Sequence, residues 1–425
     1  MKSRTTLLRR ILLSSALLTG STTQAIGAPD SPPAKLVSTV KIETVDHETI
    51  EGQLLGCSAA AGAFIRVDVG VDRRIPLSDI VRIVTDTPVA PPAQDAARVS
   101  LNNGDSILGE LGGAGDGSVV VKSADLGDLA LPLEWVSRID LTSSGANGSR
   151  TAEIFDHNRG RDDTQTGGAD DDAIVLTNGD MLRGFVVGVG SDGVLFDTQS
   201  GETEIPLRLV RTAYFAAAEP KPIAPPYLRL TLRQSGQLTV TDIDWSADIA
   251  RIHLRDKREL TLEADRIVRA DVNGGRWEWL STHKPLRFQH TPMLALDWPF
   301  VIDRNVLGKP MAVGETRIET GIGVHSRSSL VYDLRGEYVE FVTDFGIDDD
   351  SGSYANVSVF ILVDDTRRFG KENIRRGTRH GPVRLDVKKA QRLELIVDFG
   401  QNGDLQDRFN WIEPALIRQT RSPGQ

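Results

Sequence analysis

Cysteine is all but absent from this chain: one residue, Cys57, in 425. A disulfide within the chain and a cysteine-rich zinc framework are therefore excluded. Positive charge is in deficit. There are 49 Lys and Arg against 59 Asp and Glu, a formal net charge of −10. That balance argues against a nucleic-acid-binding chain and leaves room only for a local basic patch. Beyond the first residues no apolar run reaches the about 20 residues of a membrane-spanning helix. Familiar catalytic signatures are missing: there is no G-x-S-x-G elbow, no H-E-x-x-H and no Walker A. His253, His283, His290 and His380 are scattered without metal-like spacing, and no carboxylate pair stands out for glycosidase chemistry. A noncatalytic protein is expected. What is abundant is punctuation: 40 Gly and 20 Pro, beside 40% hydrophobic residues, describe folded chain with many short strands and turns.

The first residues read as an address. Lys2, Arg4, Arg9 and Arg10 precede the short apolar run 11–18, and Ala25-Ile26-Gly27 offers a small-residue cleavage pattern. Residues 1–28 are thus expected to be a secretory signal peptide. Its removal takes away four positive charges and no acidic ones, so the mature net charge would be −10 − 4 = −14. The expected product is exported, to the periplasm, the cell surface or the medium, with no membrane span left. Cys57, among Gly56, Ser58 and Ala59, reads as an inert filler.

A repeated unit fills the first half. Val99 to Gly109 and Val175 to Gly184 each place an Asn-Gly-Asp turn (Asn103-Gly104-Asp105 and Asn178-Gly179-Asp180) before a second strand that carries the closing Gly. Asn and Gly tolerate positive φ, so a tight hairpin turn is expected at each. Leu131-Pro132-Leu133 with Val136, and Ile205-Pro206-Leu207 with Val210, follow 22 and 21 residues after that Gly. Gly52 with Ile75-Pro76-Leu77 and Ile80-Val81 repeats the plan, and Leu260-Thr261-Leu262 with Ile267-Val268 is read as a fourth copy with Thr in place of Pro. The units are placed at 36–87, 97–142, 173–216 and 226–273. Units of about 45 residues are small for separate cores. They are expected to pack together or to close into small barrels, with a weak resemblance to SH3-like or Sm-like barrels. Residues 143–172, Gly/Ser-rich and then acidic, read as a linker. The run 216–226, with Pro220, Pro222, Pro225 and Pro226, reads as a stiff one.

From 277 to 418 the chain reads as one all-β domain. Leu330, Tyr332 and Leu334 alternate along one strand. Phe341, Thr343 and Phe345 share a face, as do Val357, Val359, Ile361 and Val363; Leu393, Leu395, Val397 and Phe399 form another set. Many short strands with regular turns favour a two-sheet sandwich. The expected fold class is all-β: tandem small β-barrel-like repeats, then a β-sandwich.

This last third resembles a known family. Gly321-Ile322-Gly323-Val324-His325-Ser326, followed by Val331-Tyr332-Asp333-Leu334, is similar to the signature of the NPCBM/NEW2 family. That family is a carbohydrate-binding module associated with family 98 glycoside hydrolases. Phe341 and the run Phe345 to Asp349 resemble its F-x-x-x-x-G-x-D-D. Val357 to Asp364 and Leu393 to Asp398 resemble two further strands. Its ending, an acidic residue with His-Ala-Asp-Trp and then Ala, stands here as Asp407-Arg408-Phe409-Asn410-Trp411 and Ala415, with Arg408 and Asn410 as departures. The resemblance implies a jelly-roll-like sandwich and, in some members, binding of galactose-containing glycans.

Sugar binding needs an aromatic platform with polar groups around it. Trp411, Asp407, Arg408 and Asn410 would supply such a set, with His325 and Trp298 at the same end. The alternative for Trp411 is a core plug, and for His325 a structural role. Asp348 and Asp349 are a turn or, alternatively, a structural calcium site; no other cofactor is expected. The expected function is binding of a carbohydrate or cell-surface glycan. The alternative is a scaffold for another secreted protein, or an accessory subunit of a secreted hydrolase.

Overall fold

The computed structural model describes residues 39–419 apart from 69, 92, 94–95, 114–116, 142–170, 199–200, 217–222, 235 and 294–296. The expected signal peptide, almost all of the acidic linker and part of the proline run lie outside the described residues. Among the described residues there is no α-helix; strands are joined by turns and by five short 3-10 segments.

Each repeat is one antiparallel ribbon. In the first unit Thr39–Thr44 pairs with Thr49–Ser58, which pairs with Gly62–Asp68, which pairs with Val71–Ile75; the fifth strand, Ile80–Thr85, returns to pair with the first. Units two and three repeat this order, and unit four keeps it with its second strand split into Gln237–Val240 and Asp242–Trp245. No ladder joins a unit's fourth strand to its fifth among the described residues. Of the two expectations, packing together or closing into small barrels, the units follow the first: each is barrel-like in strand order but open.

The repeat signature has a mechanical cause. The closing Gly of units two, three and one lies where the second strand bends over the third. A Cβ on Gly109 would stand 2.3 Å from the Lys122 carbonyl oxygen; on Gly184 or Gly52 it would stand 2.2 Å from that of Asp197 or Arg66. Only glycine lets the strips fold this tightly. Gly109→Ala is expected to destabilise the protein by about 1–3 kcal/mol through overpacking, read from the denaturant midpoint.

The Pro signature ends the fourth strand and starts a 3-10 turn. Pro76, Pro132 and Pro206 sit at φ −57°, −56° and −56°, which the pyrrolidine ring fixes in advance. In unit four Glu263 takes this place, at φ −64°. The fourth copy is therefore Leu262-Glu263-Ala264, two residues beyond Leu260-Thr261-Leu262. With that correction Ile267 follows Glu263 at the interval by which Ile80 follows Pro76.

The units share one core. Ile42, Ile83, Val99, Ile139, Ile174, Leu230 and Ile267 belong to a single buried cluster across all four. The fifth strands join them in pairs: Ile83 faces Ala270, and Ile139 faces Ala213. Cys57 is buried in this cluster, and burial pushes its thiol up to about 12, which fits an inert filler.

The last third is a two-sheet antiparallel sandwich. One sheet runs Val301–Ile302, Gly321–His325, Arg408–Arg418, Tyr338–Ile347, His380–Asp386, with Trp277–Trp279 along the far half of the 408–418 strand. The other runs Arg287–His290, Ser328–Asp333, Arg392–Phe399, Asn356–Val363, Thr366–Arg375. Tyr332, Phe341, Phe345, Val359, Leu395, Phe409 and Trp411 fill the space between them. Val45 and Val81 of unit one pack with Trp277, Trp279, Val342 and Ile417 of the sandwich, so repeats and sandwich share a buried seam.

Candidate functional site

The strand Arg408–Arg418 decides where the expected site residues go. It lies inside its sheet, and both its faces are covered. Trp411 is 0% exposed and packs edge-on against Phe409 at 5.2 Å and Phe345 at 6.0 Å. It is a core residue and cannot serve as an open sugar platform. Asn410 points to the opposite face, beneath the small hairpin of Met311–Val313 and Thr316–Ile318, and is also fully buried.

Asn410 belongs to a hub centred on Asp348. The Asp348 carboxylate accepts from Asn410 Nδ2 at 2.7 Å, Asn305 Nδ2 at 3.0 Å, the Asp350 amide at 3.0 Å and the Ala312 amide at 3.3 Å. Asp349 accepts from the amides of Gly314 and Glu315 at 3.1 and 2.8 Å. These N–H donors surround the oxygens that a cation would need. Among the described residues no group of three or more His, Cys, Asp or Glu side chains is placed to hold a metal. The calcium expectation at Asp348 and Asp349 is corrected: both carboxylates fasten the hairpin to the sandwich, as buried acceptors must be satisfied.

The remaining candidates meet at one end of the sandwich. His325 ends its strand directly opposite Arg408. The Trp298 ring stacks on His325 at 5.3 Å and 11°. His290 stands edge-on to His325 at 6.0 Å; its Nε2 lies 3.1 Å from the Ser326 carbonyl and its Nδ1 lies 2.8 Å from Asp297. Burial lowers the His325 imidazole to about 4, aided by the neighbouring His290 and Arg408, so the ring is neutral near pH 7. Asp407 is fully buried, accepts the Asn356 amide at 2.9 Å, and is raised by burial to about 7. Arg408 is half-buried and donates from Nη1 to the Asp350 carbonyl at 2.6 Å.

Residues that the sequence did not single out complete this end. Tyr354 is 69% exposed on the 351–355 turn, and its carbonyl accepts from Asn402 Nδ2 at 2.9 Å. Asp404 accepts the Met293 amide at 3.1 Å, and Met293 and Leu405 are exposed beside it. The surface thus offers a standing phenol, a Trp packed on a neutral imidazole, and polar groups from three loops. A tyrosine within the polar turn 351–355 was the one available signal for it.

A comparison with known families divides the chain at the same place. Residues 276–417 match the NPCBM/NEW2 domain. The last third is similar to that domain. The match covers that third and not the repeats. Among solved structures, a CBM51 module from Clostridium perfringens in complex with methyl-galactose is similar at 22% identity, covering 33% of this chain and 99% of that chain, with a TM-score of 0.31. Tandem CBM51 modules of a family 98 glycoside hydrolase from Streptococcus pneumoniae are similar at 12% identity, covering 89% of this chain and 88% of that chain, also with a TM-score of 0.31. No curated protein matches the chain.

Proposed function

We propose that this protein is an exported, noncatalytic glycan-binding protein. The NPCBM/NEW2-like domain holds carbohydrate on the loop end built by Tyr354, Trp298, Asn402 and Asp404. The observation that carries the reading is the exposed Tyr354 ring beside polar groups of the 400–407 loop. An aromatic face takes the apolar side of a sugar ring, and nearby amides and carboxylates take its hydroxyls. His325 and Arg408 support the surface from beneath rather than forming its platform. The partner is a cell-surface or matrix polysaccharide, and the repeats present the sandwich to it.

The test is a glycan array with the intact protein, followed by titration of the selected sugar. Tyr354→Ala is expected to weaken binding at least about tenfold, with an unchanged melting temperature because the ring is outside the core. Equal affinity in wild type and variant would remove the proposed platform.

A second reading, a scaffold for another secreted protein, draws on unit three. Phe185 is 55% exposed and Val187 42%, on the strand Met181–Val189, with Leu195 exposed on the strand paired to it. Such a patch is the kind of surface that protein partners cover. It leaves the loop end of the sandwich free, so the two readings concern different parts of the chain.

A further inference from the structure

A cavity of about 420 Å³ lies where units two and four meet the sandwich, and four arginines line it: Arg98, Arg229, Arg304 and Arg317. Three acids share the lining, and each is already engaged. Asp105 accepts Thr239 Oγ1 at 2.6 Å and Asn103 Nδ2 at 2.8 Å. Asp303 accepts the Gly321 amide at 3.0 Å and lies 3.5 Å from Arg229. Glu319 takes Arg317 at 2.9 Å and Gln237 at 3.0 Å.

Arg98 is left over. Its cross-strand neighbour Asp140 is spent on Arg138 at 2.8 Å and Thr212 at 3.0 Å. Among the described residues no carboxylate lies within salt-bridge distance of Arg98, and its one hydrogen-bond acceptor is Ser106 Oγ at 3.2 Å. Burial and the like charges of Arg317 and Arg304 disfavour its charge, and the more distant Asp140 and Glu319 offset this only in part. A guanidinium has five donors in a fixed planar fork and keeps its charge, so it cannot relieve this field by losing a proton. A half-buried cation facing two more cations across an open cavity is completed by an anion whose geometry matches the fork. Asn103, Ser100 and Thr282 line the same space and offer further polar groups.

We propose that this cavity is an oxyanion site, taking a carboxylate or sulfate group of the kind carried by acidic saccharides, with Arg98 as the principal donor. It shares no residue with the loop end of the sandwich; the anion site stands without the reading given for that surface, and only the choice of a saccharide as its carrier rests on that reading. A chain with a net charge of −10 gathers anions poorly by its overall field, so the cavity must select them locally.

The test is isothermal titration of the intact protein with sodium sulfate and, separately, with an oligogalacturonate, at ionic strength held constant with chloride. Saturable binding with a dissociation constant of about 1 mM or tighter is expected for at least one probe. A tighter oligogalacturonate supports a saccharide-borne group, and sulfate bound as tightly supports the free anion. Arg98→Gln is expected to weaken binding at least about tenfold. It should fold, because it removes a half-buried charge whose one direct acceptor is a hydroxyl. Arg317→Gln, whose side chain is 55% exposed, keeps the fold and is expected to weaken binding about threefold through the lost field. No saturable binding of either probe, or unchanged binding in both variants, overturns the proposal.

Discussion

Replacing Arg82 with methionine is expected to cost about 3–5 kcal/mol, the largest loss of any single substitution considered for this chain. Arg82 belongs to unit one, and its side chain is only 12% exposed. Its Nη2 donates to Glu413 of the sandwich at 2.6 Å, and its Nε lies 3.3 Å from Asp271 of unit four and 3.6 Å from Glu43. The guanidinium also stands 5.5 Å from the Trp279 ring. Three carboxylates from three parts of the fold thus converge on one cation. Burial alone would raise the Glu413 carboxyl, but Arg82, with Arg269 and Arg379, outweighs it and holds the group below its ordinary range. Methionine keeps the packing on Trp279 and leaves Asp271 to Arg269 alone and Glu413 to Arg379 alone. The under-compensated carboxylates then favour the protonated form, so the deficit should be larger at pH 8 than at pH 5. Urea unfolding at the two pH values measures it. A loss under about 1 kcal/mol at pH 8, the range of a surface pair, would mean that the seam between repeats and sandwich does not depend on this residue.

Asp407→Asn is expected to stabilise the protein at alkaline pH, by on the order of 2–4 kcal/mol. Asp407 is raised from 3.8 to about 7 in the fold, chiefly by burial. Between those values the native state binds more protons than the unfolded state, so stability falls as pH rises through the window and levels off above it. Asparagine is uncharged throughout and can still accept the Asn356 amide. His325 works in the opposite sense. Its imidazole is lowered from 6.5 to about 4, so the unfolded state binds more protons there and stability rises with pH across that interval. The two effects partly cancel in the wild type between pH 4 and 6.5. The substitution uncovers them: the gap in melting temperature between variant and wild type should be small at pH 4.5 and widen to pH 8. A gap independent of pH would show that Asp407 is ionised in the folded protein at no cost.

Local signals carried much of the architecture, and long-range ones carried the site. The repeats were legible because their markers answer to backbone geometry nearby. Gly52, Gly109 and Gly184 mark the same bend, and Pro76, Pro132 and Pro206 the same φ. The fourth copy was read two residues early because Glu263 adopts that φ without a ring to advertise it. Alternation gave the sandwich faces, as in Val357, Val359, Ile361 and Val363, all buried. Trp411 illustrates what was not legible. Between Asn410 and Ile412, and near Phe409, it reads equally as a binding aromatic or a core plug, and only the packing of the two sheets over it shows it to be core. Asp348 and Asp349 looked like cation ligands because all but one of the donors that occupy them come from residues more than thirty positions away. Tyr354 was passed over because exposure, and not residue type, distinguishes it.

The central claim is that carbohydrate meets the chain at the loop end of the sandwich. Hydrogen–deuterium exchange of the intact protein, with and without a saturating sugar chosen from the array, tests it most directly. Slower exchange is expected in the backbone amides of 297–298, 351–355 and 400–407, with the repeats unchanged. Protection confined to the repeats, or to the hairpin around 311–318, would contradict the account.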